Sequence, residues 1–441
     1  MNTRNTLHHA PKTSGNSLIS VVCLLSCVLL AGGATAAEKA PVTAADKPVE
    51  GELDVFLGDS LFERQVLYGG EGQGQVRGPN ITVAVDGTVL ARGNGRLRRS
   101  TDGGATWGEP ASVPSGTLIV DETTGDVLSV RIRDEKAKMS RSTDQGRTWN
   151  TEETVLKPNE VMKWLEWTGL RVRSDSQNSA TDAPKYYMHT GASETGVTLW
   201  HGPNKGRLLN TATFRPYAKA HPSDRDRVDA IFSCAIYSDD GGKTWQVSGF
   251  FPEGYTEEAA LAELSDGRVY YNSRSHHGFY DKAFARELTG EERLRRIAWS
   301  YDAGETWEDL EISPVLPDGG GYDRGYGMMG GLVRLPVAGR DILLFSNADT
   351  AGGEREKMTV WASFDGAQTW PIKRLVYGGP SAYSSLAAGR PDTPSEGYLY
   401  LLFEGVETHR YGGIQVARFT LTWILGGELT GDGEVPDWVA R

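Results

Sequence analysis

Five copies of one short motif constrain this chain more than any other feature. The pattern Ser-x-Asp-x-Gly-x-Thr-Trp spans residues 100–107, 142–149, 238–245 and 300–307, and a degenerate copy at 363–370 carries Gly366 and Ala367 in reversed order. Each copy follows a short alternating strand pattern, such as Ala235-Ile236-Tyr237-Ser238, and precedes another. A motif placed this way reads as a hairpin turn in which the Asp carboxylate accepts backbone N–H groups, Gly takes the positive φ, and Trp packs beneath. Such a loop holds too few carboxylates for a hard-cation shell. Repetition at this spacing requires a chain built from stacked antiparallel units.

The composition agrees with many turns around a large core: 441 residues include 54 Gly, 12 Trp and 17 Tyr. Arg4 and Lys12, an apolar run over 18–30 and Ala34-Thr35-Ala36 predict a secretory signal at 1–36, cleaved before Ala37. The run is short for a membrane span, and the residues around Cys27 match a lipidation site poorly. Cys23 and Cys27 leave with the signal, so Cys234 remains alone and no internal disulfide forms. Losing Arg4 and Lys12 takes the formal net charge from −12 to −14, which disfavours nucleic acid or an anionic membrane as partner. Any anionic ligand would need a local arginine cluster. Residues 37–60 read as a flexible Ala/Pro/Glu/Lys-rich leader and 426–441 as a polar C-terminal tail. The expected location is secreted or periplasmic, and the sequence does not specify an oligomeric state.

Residues 257–274 read as one hairpin about an Asp266-Gly267 turn. A two-residue turn there sets residue 259 opposite 274, so Glu258 and Arg274 meet at the open end within one residue of register. Taken alone, such a pair is a rim salt bridge.

The repeats resemble the Asp boxes of the sialidase superfamily, and the resemblance extends from about Leu61 to Leu425. It implies an all-β fold, a six-bladed β-propeller of four-stranded antiparallel blades over 61–425. Five blades carry boxes, with their aspartates at 102, 144, 240, 302 and 365; a sixth runs from Tyr383 to about Ile424. Residues 157–187 and 216–227 read as inserted loops, and 61–68 as the outer strand that closes the ring. If the Asp-Gly turns and the Asp boxes share one face, then Arg77, Glu258, Arg274, Arg355 and Tyr383 all fall on the opposite rim.

The local motifs carry the resemblance further. Arg77-Gly78-Pro79 resembles the family's Arg-Ile-Pro, Glu258 with Asn272-Ser273-Arg274 its Glu and Asn-Ala-Arg, Arg355 its third arginine, and the segment around Tyr383 its nucleophile segment. The resemblance implies that Arg77, Arg274 and Arg355 clamp a substrate carboxylate, with Tyr383 as nucleophile and Glu258 as its general base. The chemistry is coherent. Guanidinium forks bind a carboxylate bidentately, and a neutral phenol approaches an anionic sugar without the repulsion an Asp or Glu would meet. The implied activity is exo-glycosidase action, with retention, on a terminal sialic acid or related 2-keto-3-deoxy sugar acid, with no cofactor and no metal.

One departure stands out. Family sialidases carry an aspartate acid/base in the loop between second and third strands of blade one; here residues 91–97 offer Arg92 and Arg96 and no carboxylate. Asp134 or Glu135 in blade two, or Asp323 between Gly319 and Gly331, are the candidate substitutes. Otherwise the leaving group needs no acid, the sugar is bound in another orientation, or the protein is a carbohydrate-binding propeller that does not hydrolyse. His276 and His277 read as solvent-facing, and Gly319-Gly320-Gly321 as a flexible connection.

Overall fold

The computed structural model describes residues 50–69, 74–133, 136–163, 187–191, 194–215, 231–275, 290–320, 327–350 and 354–439. The proposed signal, most of the two inserted loops, Asp134, Glu135, Asp323, His276 and His277 lie outside the described residues.

The described chain is almost entirely antiparallel sheet. Strands Asn80–Val83, Val89–Gly93, Arg96–Ser100 and Ala111–Ser112 form one four-stranded meander, and Thr256–Glu263, Val269–Ser275, Leu294–Ser300 and Glu308–Pro317 form another. Gly331–Arg334, Leu343–Ala348, Glu356–Ser363 and Ile372–Pro380 form a third, extended by Glu428–Leu429. Between the first two lies a ten-stranded sheet, in which the short strand Tyr187–His189 joins the meander beginning at Thr117–Asp121 to the one through Leu208–Arg215. The last sheet takes Ser384–Ala388, Leu399–Val406 and His409–Phe419, and is completed by the N-terminal strand Phe62–Gly69. The closing strand expected at 61–68 is therefore in place.

Asn80–Val83, Thr117–Asp121, Val197–Thr198, Thr256–Glu263, Gly331–Arg334 and Ser384–Ala388 touch one another in turn, and the last returns to the first. The result is a propeller-like ring. Apolar cores fill the spaces between neighbouring sheets: one packs Ile297, Trp299, Phe345 and Trp370 together, another Ile81, Tyr400, Val416 and Tyr68.

The five boxes share one geometry. In the first, the Ser100 hydroxyl donates to Asp102 Oδ1 at 2.7 Å, Thr106 N–H donates to the same oxygen at 2.9 Å, and the Thr106 hydroxyl donates to the other oxygen. Both central residues are left-handed in every copy, and in the fifth Gly366 and Ala367 have φ of 72° and 68°. The reversed order there is tolerated because both positions need the same conformation.

Both ends of the propeller differ from expectation. Residues from Glu50 onward do not belong to a free leader: Gly51 bridges Val337, Glu50 pairs with Arg334 at 2.7 Å, and the one-turn helix Leu53–Phe56 buries Phe56 in the core. Nor is the C-terminal stretch a free tail, since Glu428–Leu429 pairs with Ile372 and Lys373, and Val439 is buried. Two or three apolar residues in a polar background anchor each segment, a pattern too sparse for composition to reveal. Among the described residues, no helix is long and apolar enough to cross a membrane.

Candidate active site

The hairpin at 257–274 sets the geometry. Its loop has three residues, not two: Leu264 and Arg268 close it, and Gly267 takes φ 86°. Pairing runs from Glu263↔Val269 to Ala260↔Asn272 and then shifts, so that Glu257 faces Arg274 and residues 258 and 259 together oppose Ser273. This β-bulge puts Glu258 at φ 48°. Because the extra residue breaks the alternation, adjacent glutamates both reach Arg274. Glu257 lies 3.7 Å from its Nη1, and Glu258 accepts a hydrogen bond from the same nitrogen. Arg274 is 4% exposed and Glu258 6%, so this is a buried pair and not a rim salt bridge.

Tyr383 completes the arrangement. Its hydroxyl donates to Glu258 Oε1, and its backbone N–H donates to Glu404 Oε2 at 3.3 Å. Burial, reinforced by the Glu258 charge, pushes the phenol pKa well up, while Arg274 and Arg355 pull it the other way. The resting phenol is neutral. Burial also opposes charge on Arg274, but the surrounding carboxylates, Glu258 first, outweigh it and hold the guanidinium protonated.

The remaining arginines frame the tyrosine ring. Arg77 lies 4.8 Å from the Tyr383 ring centre and 4.1 Å from that of Tyr411, and Arg355 lies 5.7 Å from Tyr383. Arg77 Nε donates to Glu404 Oε1 at 2.8 Å, and Gly78 N–H donates to the same oxygen at 2.8 Å. Arg355 is held by the carbonyls of Gly320 and Gly327 and by the Tyr411 hydroxyl at 3.1 Å. The structure thus brings Arg77, Glu258, Arg274, Arg355 and Tyr383 together. It places Asp134, Glu135 and Asp323 outside the described residues.

A second layer of buried polar residues packs behind Arg274. Buried Arg295 donates to Asn272 Oδ1 at 2.6 Å and to Asp318 Oδ1 at 2.9 Å, while Asp318 Oδ2 accepts Ser275 N–H at 2.9 Å. Gly327 closes over this pair at φ 83°, where a Cβ would sit 2.3 Å from Asp318 Oδ2. Sequence reasoning missed Glu404, Tyr411, Asp318 and Arg295. Glu404 left a usable signal, because it is a lone acid ending the apolar run 399–403, on the rim reached by the same strand count as Tyr383.

Beside Arg77 opens a cavity of about 480 Å³, lined by Arg77, Arg92, Arg131, Arg133, His189 and Met329 among others. Its described lining residues include no carboxylate. The Val89–Gly93 and Arg96–Ser100 strands are joined by a two-residue turn, Asn94-Gly95, with φ of 52° and 71°. That turn is too short to carry an acidic side chain over the pocket on a loop, and the carboxylate-free reading of residues 91–97 stands.

Comparison with known proteins gives a consistent result. The BNR/Asp-box repeat family matches residues 236–247. The chain is 30% identical over 402 residues to a sialidase from Micromonospora viridifaciens, covering 84% of this chain and 55% of the relative. It is 26% identical over 326 residues to a sialidase from Bacteroides fragilis, covering 69% and 53%. It therefore spans about half the length of these curated relatives. Among solved structures, the Hadza microbial sialidase Hz136 aligns with a TM-score of 0.55 at 20% identity, over 79% of this chain and 66% of that one. A leech intramolecular trans-sialidase complexed with 2,7-anhydro-Neu5Ac aligns with 0.56 at 14%, over 84% and 71%. With five Asp-box turns set in a closed ring of antiparallel sheets and sialidases among its relatives by both sequence and fold, this chain belongs to the sialidase superfamily.

Proposed function

We propose that this protein is a secreted or periplasmic glycoside hydrolase that removes a terminal sialic acid or a related 2-keto-3-deoxy sugar acid. The ring of first strands is read as six blades, with the catalytic centre at the rim opposite the Asp boxes. The observation that carries the proposal is the Tyr383 hydroxyl donating to Glu258 within a ring of three arginines.

Arg77, Arg274 and Arg355 bind the carboxylate on the anomeric carbon, which fixes that carbon over Tyr383. Glu258 takes the phenolic proton as the oxygen attacks; the bond to the aglycone breaks, leaving a tyrosyl glycoside. Water then displaces Tyr383, giving up one proton to the base left behind when the aglycone was protonated, while Glu258 returns its own proton to the departing phenol, and two inversions give net retention. Arg274, already beside Glu258, moderates the extra charge as phenolate character develops. Glu404 holds Arg77 and the Tyr383 backbone in register. The aglycone oxygen takes its proton from water or from a protonated carboxyl of Asp134, Glu135 or Asp323.

A second reading, a carbohydrate-binding propeller without turnover, draws on the absence of any carboxylate among the described residues of the cavity. An umbelliferyl sialoside separates the two, because its phenol departs with little acid help. Turnover that vanishes in Tyr383→Phe supports the hydrolase. No turnover above that variant, on this or on umbelliferyl ketosides of other 2-keto-3-deoxy sugar acids, leaves only binding.

A further inference from the structure

Several arginines of this protein are held by acids. Arg141, Arg207, Arg295, Arg334 and Arg390 each meet a carboxylate at 2.6–2.9 Å, as arginines in a chain of net charge −12 readily do. Around the cavity beside the clamp the pattern changes. Arg92 donates to the Gly116 carbonyl, and its Nε has no acceptor among the described residues. Arg131 donates to the Ser115 hydroxyl at 3.1 Å, a neutral partner. Arg133 stands exposed at the edge, and His189 adds a ring that protonation would charge. Burial disfavours the charge on Arg92, and no carboxylate among the described lining residues offsets that cost.

A concave surface lined by guanidinium groups that meet no carboxylate among the described lining residues concentrates anions. The cavity is continuous with the clamp, because Arg77 belongs to both: its guanidinium stacks on Tyr383 and its side chain, 38% exposed, lines the cavity. We propose that this cavity is a second anion subsite, taking a carboxylate or sulfate-type group that the substrate carries in addition to the carboxylate on its anomeric carbon. The proposal rests on the clamp's being the carboxylate site of the proposed function. It makes the preferred substrate a dianion, with its second charge on the sugar or on the aglycone.

The test is calorimetric titration of inorganic sulfate at fixed ionic strength, first into the free protein and then into protein saturated with the unsaturated glycal of N-acetylneuraminic acid, a monoanion that reads the clamp. Sulfate is expected to bind with the glycal in place. Arg131→Ala combined with Arg133→Ala should weaken sulfate at least about tenfold while moving the glycal less than about threefold. Both positions are on the cavity edge, and circular dichroism checks that the variant folds. Exclusion of sulfate by the glycal, or sulfate affinity indifferent to the two arginines, overturns the subsite. If the glycal fails to bind, the sugar-acid reading of the clamp falls, and the sulfate titration of free protein and variant still decides the subsite. Two aryl ketosides then locate the second charge, one of a sugar acid with a carboxylate at each end of its chain, the other of N-acetylneuraminic acid with a sulfonated aglycone. The better substrate should exceed the monoanionic ketoside about tenfold in kcat/KM, and lose that advantage in the double variant. Equal rates for all three overturn the dianion preference.

Discussion

The two sides of the cleft are built on opposite electrostatic plans. Around Tyr383 every cation meets an anion or a carbonyl array: Arg77 has Glu404, Arg274 has Glu257 and Glu258, and Arg355 has two backbone carbonyls. Across the cavity, Arg92 and Arg131 meet, among the described residues, only a carbonyl and a hydroxyl. The first side is pre-organised, with each fork held in a fixed orientation before any ligand arrives. The second is a field without a fixed partner. On the proposed function, the difference divides chemistry and substrate selection between the sides, so changes on one should not mimic changes on the other.

The largest effect should come from the smallest change. Tyr383→Phe removes one oxygen yet keeps the ring on which Arg77 and Arg355 rest, so the fold and the thermal midpoint should hold while kcat on an aryl sialoside falls by at least about three orders of magnitude. Steady-state kinetics with calorimetry of the same sample check it. Residual turnover within tenfold of the parent would mean that the ordered side does not carry the chemistry, and the division would collapse.

Glu404→Ala tests whether the order depends on charge pairing. The change strands Arg77 Nε and the N–H groups of Gly78 and Tyr383 at once. Breaking a buried pair costs about 3–5 kcal/mol, and the partial exposure of Arg77 places this one near about 3. Denaturant titration measures it. In the same variant KM should rise more than kcat falls, and Glu404→Gln, which keeps one acceptor oxygen for Arg77 and Gly78 but none for the Tyr383 N–H, should recover part of the stability.

The third prediction concerns pH. Burial pushes the Asp318 carboxyl up to about 6, against the pull of Arg295 and Arg274. The folded value stands above the unfolded one, so the stabilising contribution is full below about pH 4 and is lost as pH rises through about 6. Glu404 and Glu194, both raised by burial, act in the same sense. Stability followed by thermal melts should decline across that window by about 2 kcal/mol. Asp318→Asn removes the titrating group, keeps one acceptor oxygen for either Arg295 or the Ser275 N–H, and should reduce the slope; an unchanged slope would place the titration elsewhere.

How much of this was legible in the sequence follows the range of the interactions. The Asp boxes were readable because their chemistry is local: Ser, Asp, Gly and Thr within eight positions specify the turn whatever surrounds it. Arg77, Glu258, Arg274, Arg355 and Tyr383, which the structure brings together, were readable as motifs and as strand ends. The hairpin register was not, because Asp-Gly suits a three-residue loop as well as a two-residue one, and nothing in 257–260 announces a bulge. Glu404 and Arg77 are 327 positions apart, and the partnership exists only because the last sheet closes against the first. The cavity arginines come from two sheets and are brought to one concavity by the packing of those sheets, which a linear string does not display.

The smallest effect should come from the rim opposite the cleft. The box aspartates are exposed except for the half-buried Asp144, and against the upward push of burial Asp102 and Asp144 are held down to about 2 by hydrogen bonds from Thr and Ser. Here the folded value lies below the unfolded one, so the contribution is present above about pH 4 and is lost as pH falls through about 2, the reverse of Asp318. Asp102→Ala removes three acceptor contacts from a solvated turn and should cost about 1 kcal/mol, with kcat/KM unchanged. Adding Asp144→Ala should roughly double the loss, since the two turns are separate units. A change in kcat/KM in either variant would show that the two rims are coupled through the sheets. Silence there, beside a large response to Glu404→Ala, would confine function to the cleft and leave the repeats as the ring's fasteners.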